Sequence, residues 1–351
     1  MKKKYLSIVR KICSGIDNQY EKTHLLLSYK KSRLSALLNI YKVRKLNGRK
    51  AVDKRLKRKI KAYCKTKFGS KNYWPWIALY TEIRGEFIPG WIPNDYYKFN
   101  LLPKMNYNNL GKLSGLKAFD HKLFPDHTLQ PILIKVGNAF YDSDLVPLTC
   151  AQALEKLKSA EYEVVQKKVM GSGGKGVYFL NPKEIDESVL NKGFDYIIQP
   201  VIEQDKTLQS LNKDSLNTFR VYSFLNKEGE VSLLKIFLKV GKAGSRVDNL
   251  SSGGDFIPVD KSGYLEKVRY SNWGIVSNTD QVYYTSNKLP YFDKLEEVCI
   301  SAHRKFPFVH FIGWDIAINK FQEPVIIEWN ADHPLFWIYE ATKGPFWKVI
   351  P

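Results

Sequence analysis

The sequence of 351 residues lacks the apolar run of about 20 residues that a membrane-spanning helix requires. Its first residues, MKKKYLSIVRKIC, carry the charge of a signal peptide, but the apolar stretch YLSIV ends at Arg10 and is too short for one. The four cysteines are scattered without a C-x-x-C pair, which indicates neither a disulfide framework nor a zinc site. We therefore expect a cytoplasmic protein with reduced thiols.

Acidic residues are scarce at the start of the chain. Residues 1–70 contain 22 Lys or Arg but only 3 Asp or Glu, a net charge of +19, whereas the other residues add only +1 to the total of +20. Apolar side chains recur at helical spacing on either side of Asn47-Gly48. They are Leu27, Leu34, Leu38 and Tyr41 before it, and Val52, Leu56, Ile60 and Tyr63 after it. We expect two amphipathic helices with strongly basic outer faces.

Three partners suit such faces. The helices could follow nucleic acid phosphates, lie on anionic lipid or a lipid-linked substrate at the inner membrane face, or pack on the rest of the protein with a solvated basic side. Nucleic acid is the least favoured, because the sequence has no helix-turn-helix, zinc or RNA-recognition motif.

Residues 167–180 read KKVMGSGGKGVYFL and hold four glycines within six positions. A Walker A loop is excluded, since Val177 and Tyr178 stand where Lys and Ser or Thr should follow Gly176. A dinucleotide-binding turn needs a helix after the glycines, but VYFL is typical of a strand. A protein kinase would need later HRD and DFG motifs, which the sequence lacks. The loop is thus either a hairpin flap over phosphates or a hairpin tip that binds nothing.

The body of the chain mixes helical and strand patterns without strict alternation, which predicts the α+β class. Residues 72–99 are rich in aromatics and prolines, and predict a lobe of short strands and turns with one helix. Helical patterns occur in AQALEKLKSA, capped by Thr149, in NPKEIDESVLNKG and in KLEEVCISAHRKF. The strand patterns include TFRVYSFLN and VSLLKIFLKVG around a turn at residues 227–229.

Three oxygen-bearing side chains lie in the stretch FIGWDIAINKFQEPVIIEWNADHP. Glu328 and Asn330 would share one face of a strand, and a hairpin with the preceding strand would place Asp315 beside Glu328. Two carboxylates and an amide oxygen suit Mg²⁺, which binds a few protein oxygens together with substrate phosphates. The alternative is a strand end whose polar residues face water.

The order of these motifs resembles the ATP-grasp superfamily. It runs from a lysine-bearing strand and a glycine-rich flap to a hinge strand, IIQPVI, and a late Asp…Glu-x-Asn set. The segments LNTFRVYSFL, VDNLSSGGDFIPVD and FIGWDIAI…PVIIEWN resemble the sugar-transfer associated branch, over roughly residues 75–340. The resemblance implies an α+β, ATP-grasp fold in which two α+β subdomains clasp ATP, preceded by the basic helical segment. The expected domains are residues 1–72, 73–130, 131–201 and 202–351.

The resemblance also implies site residues. An ATP site would be formed by Lys167, Lys168, Gly171, Ser172, Gly173, Gly174, Lys175, Gln199, Val201, Ile202, Glu203 and Asp205. Lys167 stands where the family has its phosphate-binding lysine, but Lys168 stands where proline is usual, so the two could trade places. Gln199 would read the adenine, although many relatives carry Glu near this hinge, and Glu203 or Asp205 would hold the ribose.

The remaining implied roles are catalytic, substrate-binding and metal-binding. Arg220 and Lys239 would be catalytic, with Arg220 at the γ-phosphate or an acyl phosphate. The implied substrate loop contains Asp248, Asn249, Gly253 and Gly254, and the implied Mg²⁺ ligands are Asp315, Glu328 and Asn330.

The implied activity is an ATP- and Mg²⁺-dependent ligase that joins a carboxylate to an amine through an acyl phosphate. By family context, the partners would be small molecules, sugar- or lipid-linked, such as a sugar carboxylate of a surface polysaccharide and an amino acid. The alternatives are a small-molecule or sugar kinase on the same fold, a non-catalytic binding protein, and a nucleic-acid binder led by its N-terminal segment.

Overall fold

The computed structural model describes residues 2–48, 50–106, 109–171, 176–271, 273–278 and 286–348. The chain divides into two units, one formed by Met1–Lys104 with Phe336–Pro351, and the other by Met105–Leu335. The four domains expected from the sequence stay a prediction.

The described helices are numbered in chain order. They are α1 (Lys2–Asn47), α2 (Lys54–Phe68), α3 (Trp74–Arg84), α4 (Asn94–Tyr96), α5 (Leu102–Met105), α6 (Asp120–Leu123), α7 (Cys150–Lys158), α8 (Glu187–Leu190), α9 (Lys206–Gln209), α10 (Phe292–Lys305) and α11 (Trp337–Lys343). One π turn, Tyr97–Leu101, joins α4 to α5, and short 3₁₀ turns occur at Lys71–Tyr73, Leu110–Gly115, Lys117–Phe119, Pro182–Glu184 and Leu250–Ser252. None of the helices in the described ranges combines the length and the hydropathy needed to cross a membrane.

The two basic helices expected before residue 70 are present. Helix α1 ends at Asn47 and is followed by Gly48 at φ +65°, a left-handed conformation that favours glycine. Helix α2 starts after Asp53, whose carboxylate accepts a hydrogen bond from Leu56 N at 2.7 Å. The break therefore lies where the Asn-Gly pair predicted it.

The packed side of α1 is not the one that its leucines mark. Leu27, Leu34, Leu38 and Tyr41 are 55–70% exposed. The buried side is formed instead by Ala36, Ile40 and Val43. The sequence left open that Leu27, Leu34, Leu38 and Tyr41 pack on the rest of the chain. This interpretation is wrong, because a second apolar stripe of the same helix is buried instead.

The aromatic segment after α2 is helical. Where short strands were expected, the described residues 71–104 contain α3, α4 and short turns but no strand. Residues Pro75 to Ile83 of α3 are all buried, including the carboxylate of Glu82, so this helix is enclosed on every side and gives no amphipathic pattern to recognise. Pro75 stands in its first turn, where the missing N–H costs nothing.

The second unit contains two antiparallel sheets. The six-stranded sheet has the order β3-β2-β1-β6-β4-β5, and the seven-stranded sheet has the order β11-β10-β9-β8-β7-β12-β13. The strands of the first are β1 (Leu133–Val136), β2 (Ala139–Tyr141), β3 (Pro147–Leu148), β4 (Val164–Lys168), β5 (Val177–Leu180) and β6 (Tyr196–Pro200). Those of the second are β7 (Thr218–Leu225), β8 (Val231–Val240), β9 (Asp255–Val259), β10 (Val268–Ser271), β11 (Gly274–Asn278), β12 (Phe311–Ile318) and β13 (Pro324–Asn330).

Each sheet has its own core. Helix α7, started by a capping box at Thr149 and Gln152, buries Ala153 and Leu157 against β1, β4 and β6. Helix α10 buries Leu295 and Cys299 among residues of β7, β8 and β12. The glycine-rich segment joins β4 to β5, which pair antiparallel, so the predicted hairpin is confirmed.

The helix expected in NPKEIDESVLNKG is split. Asn181 accepts a hydrogen bond from Lys183 N at 3.2 Å, and Asp186 accepts one from Ser188 N at 2.9 Å. Each side chain starts a short turn of its own, so the segment forms the Pro182–Glu184 turn and α8 rather than one helix.

Candidate active site

The β12–β13 hairpin brings two carboxylates side by side. Asp315 is paired with Glu328, and Gly313 with Asn330. Directly opposed residues of an antiparallel pair project from the same face of the sheet. Asp315, Glu328 and Asn330 therefore share one face.

Asp315 is held by two cations. It is paired with Arg220 of β7, and the Nε and Nη2 atoms of Arg220 each donate to one Asp315 oxygen at 2.8 Å. The Nζ atom of Lys239 lies 3.1 Å from Oδ1 of Asp315. Burial acts to raise the pKa of Asp315, but Arg220 and Lys239 together outweigh it and hold this pKa below its ordinary value. Asp315 is thus an ionised carboxylate at neutral pH.

Lys239 also lies next to Asp248, with 3.5 Å between Nζ and Oδ1. The backbone N–H of Thr218 donates to Oδ2 of Asp248 at 3.0 Å, and the Thr218 hydroxyl donates to the same oxygen. Burial raises the pKa of Asp248 in spite of the nearby Lys239. Asp248 therefore fastens the loop after β8 to the first residue of β7, in addition to any contact with a substrate.

The glycines of that loop act through the backbone. A Cβ atom at Gly254 would lie 2.8 Å from Asp248 O and 3.0 Å from Asn249 O. Gly253 has φ +90°, which few other residues adopt. These two glycines shape the turn that carries Asp248 and Asn249.

Lys117 is a site residue that the sequence reasoning missed. Its Nζ atom lies 3.3 Å from Oε1 of Glu328 and donates to Gly171 O at 2.9 Å. It lies in a short 3₁₀ turn with no motif around it, and only the fold brings it to Gly171, 54 positions later. Lys117 therefore connects the carboxylate strand to the entrance of the glycine-rich loop.

Lys167 on β4 also lies close enough to Glu328 to feel its charge. Its Nζ atom donates to Oε1 of Gln199 at 3.1 Å, and Gln199 Nε2 donates to Leu129 O at 2.8 Å. Burial, followed by repulsion from Lys117, lowers the pKa of Lys167 to about 8 in spite of nearby Glu328. Lys167 is therefore charged only part of the time near neutral and mildly basic pH.

The Lys168 side chain packs against an aromatic ring rather than against the carboxylates. Its Nζ atom lies 4.4 Å from the centre of the Phe194 ring, and its backbone N–H donates to Gly176 O at 3.1 Å. A Cβ atom at Gly176, where φ is +87°, would come within 2.7 Å of the Lys168 side chain. Of the two lysines that the sequence left as alternatives, Lys167 is the one beside the carboxylates.

A cavity of about 440 Å³ opens between the two sheets. Lys117 and eleven of the residues named from the sequence line it. These eleven are Lys167, Lys168, Gly171, Val201, Ile202, Glu203, Lys239, Asp248, Asn249, Asp315 and Glu328. Six others lie outside its wall, namely Gln199, Asp205, Arg220, Gly253, Gly254 and Asn330. Ser172, Gly173, Gly174 and Lys175 lie outside the described residues, so their contacts with phosphate stay a prediction.

The two candidates for the ribose hydroxyls differ in their surroundings. Asp205 caps α9, where its Oδ1 atom accepts from Thr207 N at 3.0 Å and from Leu208 N at 3.3 Å. Glu203 is exposed at the cavity, with Lys320 Nζ 2.9 Å from Oε1. Of the two carboxylates, that of Glu203 is therefore the one accessible to a ligand in the cavity.

Arg246 is a second residue that the sequence gave no reason to name. Its Nη1 and Nη2 atoms donate to the two carboxylate oxygens of Glu163 at 2.8 and 2.7 Å. Its guanidinium lies 3.4 Å from the centre of the Phe179 ring. Glu163 and Phe179 belong to the β4–β5 region, whereas Arg246 belongs to the loop after β8. Arg246 therefore ties the flap hairpin to the loop of Asp248 across the cavity.

A family model described as sugar-transfer associated ATP-grasp matches residues 147–345, which is more than half of the chain. The chain belongs to this family. The family and the α+β, ATP-grasp fold that the motifs predicted are both confirmed. The match includes the β4–β5 flap hairpin and all three carboxylate and amide residues on β12 and β13.

Solved structures include more distant ATP-grasp ligases. The ATP-grasp ligase PsnB, complexed with a phosphomimetic variant of minimal precursor, Mg and ADP, is 11% identical, with 68% of this chain and 57% of that chain covered and a TM-score of 0.40. An L-amino acid ligase from Bacillus licheniformis is 14% identical, with 63% and 41% covered and a TM-score of 0.37. N5-carboxyaminoimidazole ribonucleotide synthetase from Thermotoga maritima is 11% identical, with 60% and 39% covered and a TM-score of 0.35. This chain spans less than two thirds of each of them, and no curated protein matches it.

The ATP-grasp cavity has donors that fit magnesium. The described residues contain no group of three His, Cys, Asp or Glu side chains that could hold a metal ion alone. Asp315 and Glu328 instead offer two carboxylates on one face, and Asn330 adds an amide whose NH₂ donates to Gly313 O at 3.3 Å. Such a small set of hard oxygens suits an ion that takes its other ligands from phosphates and water.

Proposed function

We propose that this ATP-grasp protein is an ADP-forming ligase that joins a carboxylate to an amine, with ATP and Mg²⁺ bound in the cavity between its two sheets. The observation that carries the proposal is the composition of that single cavity. The six-stranded sheet contributes Lys167 and the entrance of the glycine-rich hairpin, and the seven-stranded sheet contributes Asp315, Glu328 and Lys239. Cations for phosphates and carboxylates for a metal ion thus face one space.

The roles follow from position and charge. Lys167 and Lys117 would bind phosphate oxygens, because both ammonium groups lie at the entrance of the flap. Asp315 and Glu328 in the cavity wall would hold Mg²⁺, with Asn330 on the same face of the sheet as a further ligand just outside the wall. The ion would supply positive charge at the phosphates as the γ-phosphoryl group is transferred. Arg220 orients Asp315 through its two hydrogen bonds and keeps it ionised.

The reaction proposed is phosphoryl transfer followed by acyl transfer. A substrate carboxylate oxygen attacks the γ-phosphorus, the bond to the β-phosphate oxygen breaks, and an acyl phosphate and ADP form. An amine then attacks the acyl carbon, inorganic phosphate leaves, and the amine loses a proton as the amide forms. The protein's contribution would be to position the reactants and to neutralise charge.

The proposed substrates are a sugar carboxylate and an amine such as an amino acid, within surface polysaccharide synthesis. This proposal is supported by the description of the family as sugar-transfer associated. It is also supported by the basic residues Lys206 and Lys213 in the cavity wall, which suit an anionic substrate.

The test is a screen of the purified protein with ATP, Mg²⁺ and pools of uronic acids and amino acids. ADP release would be followed first, and the products of active pools would be identified by mass spectrometry. A product with the summed mass of acid and amine less water supports the ligase. A phosphoester would establish a kinase on the same fold instead.

Two variants test the site itself. Glu328→Gln and Asn330→Ala should each remove most ADP formation without unfolding the protein, because loss of one hard ligand misplaces the metal ion. Glu323→Gln is the matched control, since Glu323 lies on the same hairpin but pairs with Lys294 on the surface. Normal turnover by both site variants would show that the assignment of the metal site is wrong.

A further inference from the structure

The outward side of α1 forms a basic and apolar surface that the proposed chemistry does not use. Tyr20, Leu27, Leu34, Leu38 and Tyr41 follow one another at spacings of seven, seven, four and three residues, so they lie along one side of the helix. We call them the outer stripe. Their exposed fractions are 70, 57, 57, 55 and 70%.

The inward side of the same helix is already occupied. Ala36 and Val43 are buried, and the Trp76 indole N–H donates to the Ser32 hydroxyl at 3.0 Å. The Nε atom of Arg44 donates to Glu82, a buried carboxylate of α3, at 2.9 Å. Helix α1 is thus fixed to the first unit by one side, which leaves the outer stripe without a packing role there.

The outer stripe belongs to an unusual concentration of exposed apolar side chains. Among the described residues, 21 large apolar side chains are exposed, and nine of them lie between Tyr20 and Leu46. Single exposed leucines need no explanation, but a contiguous apolar patch marks an interaction surface.

The surroundings of the outer stripe are basic. Lys30, Lys31, Lys42 and Lys45 are exposed beside or within it, and no acidic residue occurs between Glu21 and Asp53. Lysine next to exposed leucine and tyrosine is the composition of helices that lie in the plane of an anionic bilayer, where the ammonium groups reach the headgroups and the apolar side chains enter the boundary.

We propose that the outer stripe and its four lysines bind the surface of an anionic phospholipid bilayer. Charge complementarity favours lipid over a second copy of the chain, because two such faces would bring their lysines together. The leucines favour lipid over nucleic acid, because phosphate contacts alone would not use them. The proposal rests on the first unit and is independent of the ligase assignment.

The test is sedimentation of the full-length protein with vesicles of phosphatidylcholine, with and without about one third phosphatidylglycerol. We expect binding only with the anionic lipid, and weaker binding as salt is raised. Replacing Lys30, Lys31, Lys42 and Lys45 by Gln should weaken it by at least a hundred-fold, since each lysine at such a surface contributes about five-fold. A matched control replaces four exposed lysines of the second unit, Lys183, Lys192, Lys261 and Lys267, and should change binding little.

The apolar part of the proposal has its own variant. Leu34→Ser with Leu38→Ser should weaken vesicle binding at least ten-fold while the melting temperature is retained, because both side chains are exposed. The proposal would be overturned if the control variant lost as much vesicle binding as the lysine variant. It would also be overturned if neither the lysine variant nor the serine variant bound vesicles more weakly than the parent. A dimer in solution that the serine variant dissociates would assign the stripe to a second copy, and a higher affinity for RNA or DNA than for the vesicles would assign it to nucleic acid. Either result would also overturn it.

Discussion

The lowered pKa of Lys167 predicts how nucleotide affinity depends on pH. Without ligand, burial and Lys117 hold this pKa at about 8. A bound polyphosphate would raise it again, because an anion next to the ammonium favours the charged form. Binding must then be accompanied by proton uptake above pH 8, so the affinity falls as the pH rises through this value.

The size of the effect follows from the same pKa. If Lys167 must be charged in the complex, the dissociation constant should rise by about 25-fold between about pH 7.5 and about pH 9.5, because the charged fraction of Lys167 falls by that factor. Most of the change should occur above pH 8. Terminal phosphate groups titrate near pH 6 and contribute little over this range.

Calorimetry or fluorescence with ADP or a non-hydrolysable ATP analogue measures this without turnover. The perturbation is Lys167→Arg, whose guanidinium stays charged throughout the range, so the pH dependence should flatten even if the affinity is lower at every pH. Lys168→Arg is the control on the same strand and should keep the wild-type slope. A flat wild-type profile, or an equal slope in Lys167→Arg, would refute the reasoning.

Three further predictions concern stability and the flap. Asp315→Asn should destabilise the protein by about 3–5 kcal/mol, on the order of 10 °C in melting temperature, because it removes the buried negative charge that Arg220 and Lys239 share. A variant that melts like the parent would contradict the pairing seen here. Burial raises the pKa of Asp95 to about 7 in spite of Arg33, so the wild-type protein should lose stability as the pH rises from about 4 through 7. Denaturant unfolding of Asp95→Asn should show higher stability than the parent at about pH 8 and little difference at about pH 4, and a constant difference would count against the raised pKa. Arg246→Ala should speed hydrogen exchange of Val177–Leu180 while changing global stability by less than about 1 kcal/mol, as expected for a half-exposed ion pair, and unchanged exchange in this strand would show that Arg246 does not restrain the flap.

The local sequence pattern correctly predicted the two hairpins that position the candidate site. The β-branched and aromatic residues in 164–168 and 177–180 favour strands, and the glycines between them left a hairpin as the connection. The pairing of Asp315 with Glu328 followed from the short turn between two apolar stretches, which predicted that they form a hairpin.

The sequence pattern did not predict the structure where a segment is compatible with two packing arrangements, or where a contact depends on residues far apart in the chain. Helix α1 carries two apolar sides, and the sequence cannot tell that the side with Ala36 and Val43 is buried while that with Leu34 is exposed. Helix α3 is buried from Pro75 to Ile83, so it has no solvated side to reveal its period. Tertiary proximity alone places Lys117 beside Glu328, so no reading of nearby residues could have found it.

The charged residues of the candidate site already neutralise one another in the absence of ligand. Asp315 is neutralised by Arg220 and Lys239, and Glu328 by Lys117, so each carboxylate has a cationic partner before any ligand binds. If the carboxylates bind a divalent cation together with nucleotide, Lys117 and Lys239 lose these partners and face the same cavity as the phosphates. The two lysines that pair with these carboxylates without ligand would then also compensate the charge of a polyphosphate. This double use would explain why more cations than carboxylates gather at the site.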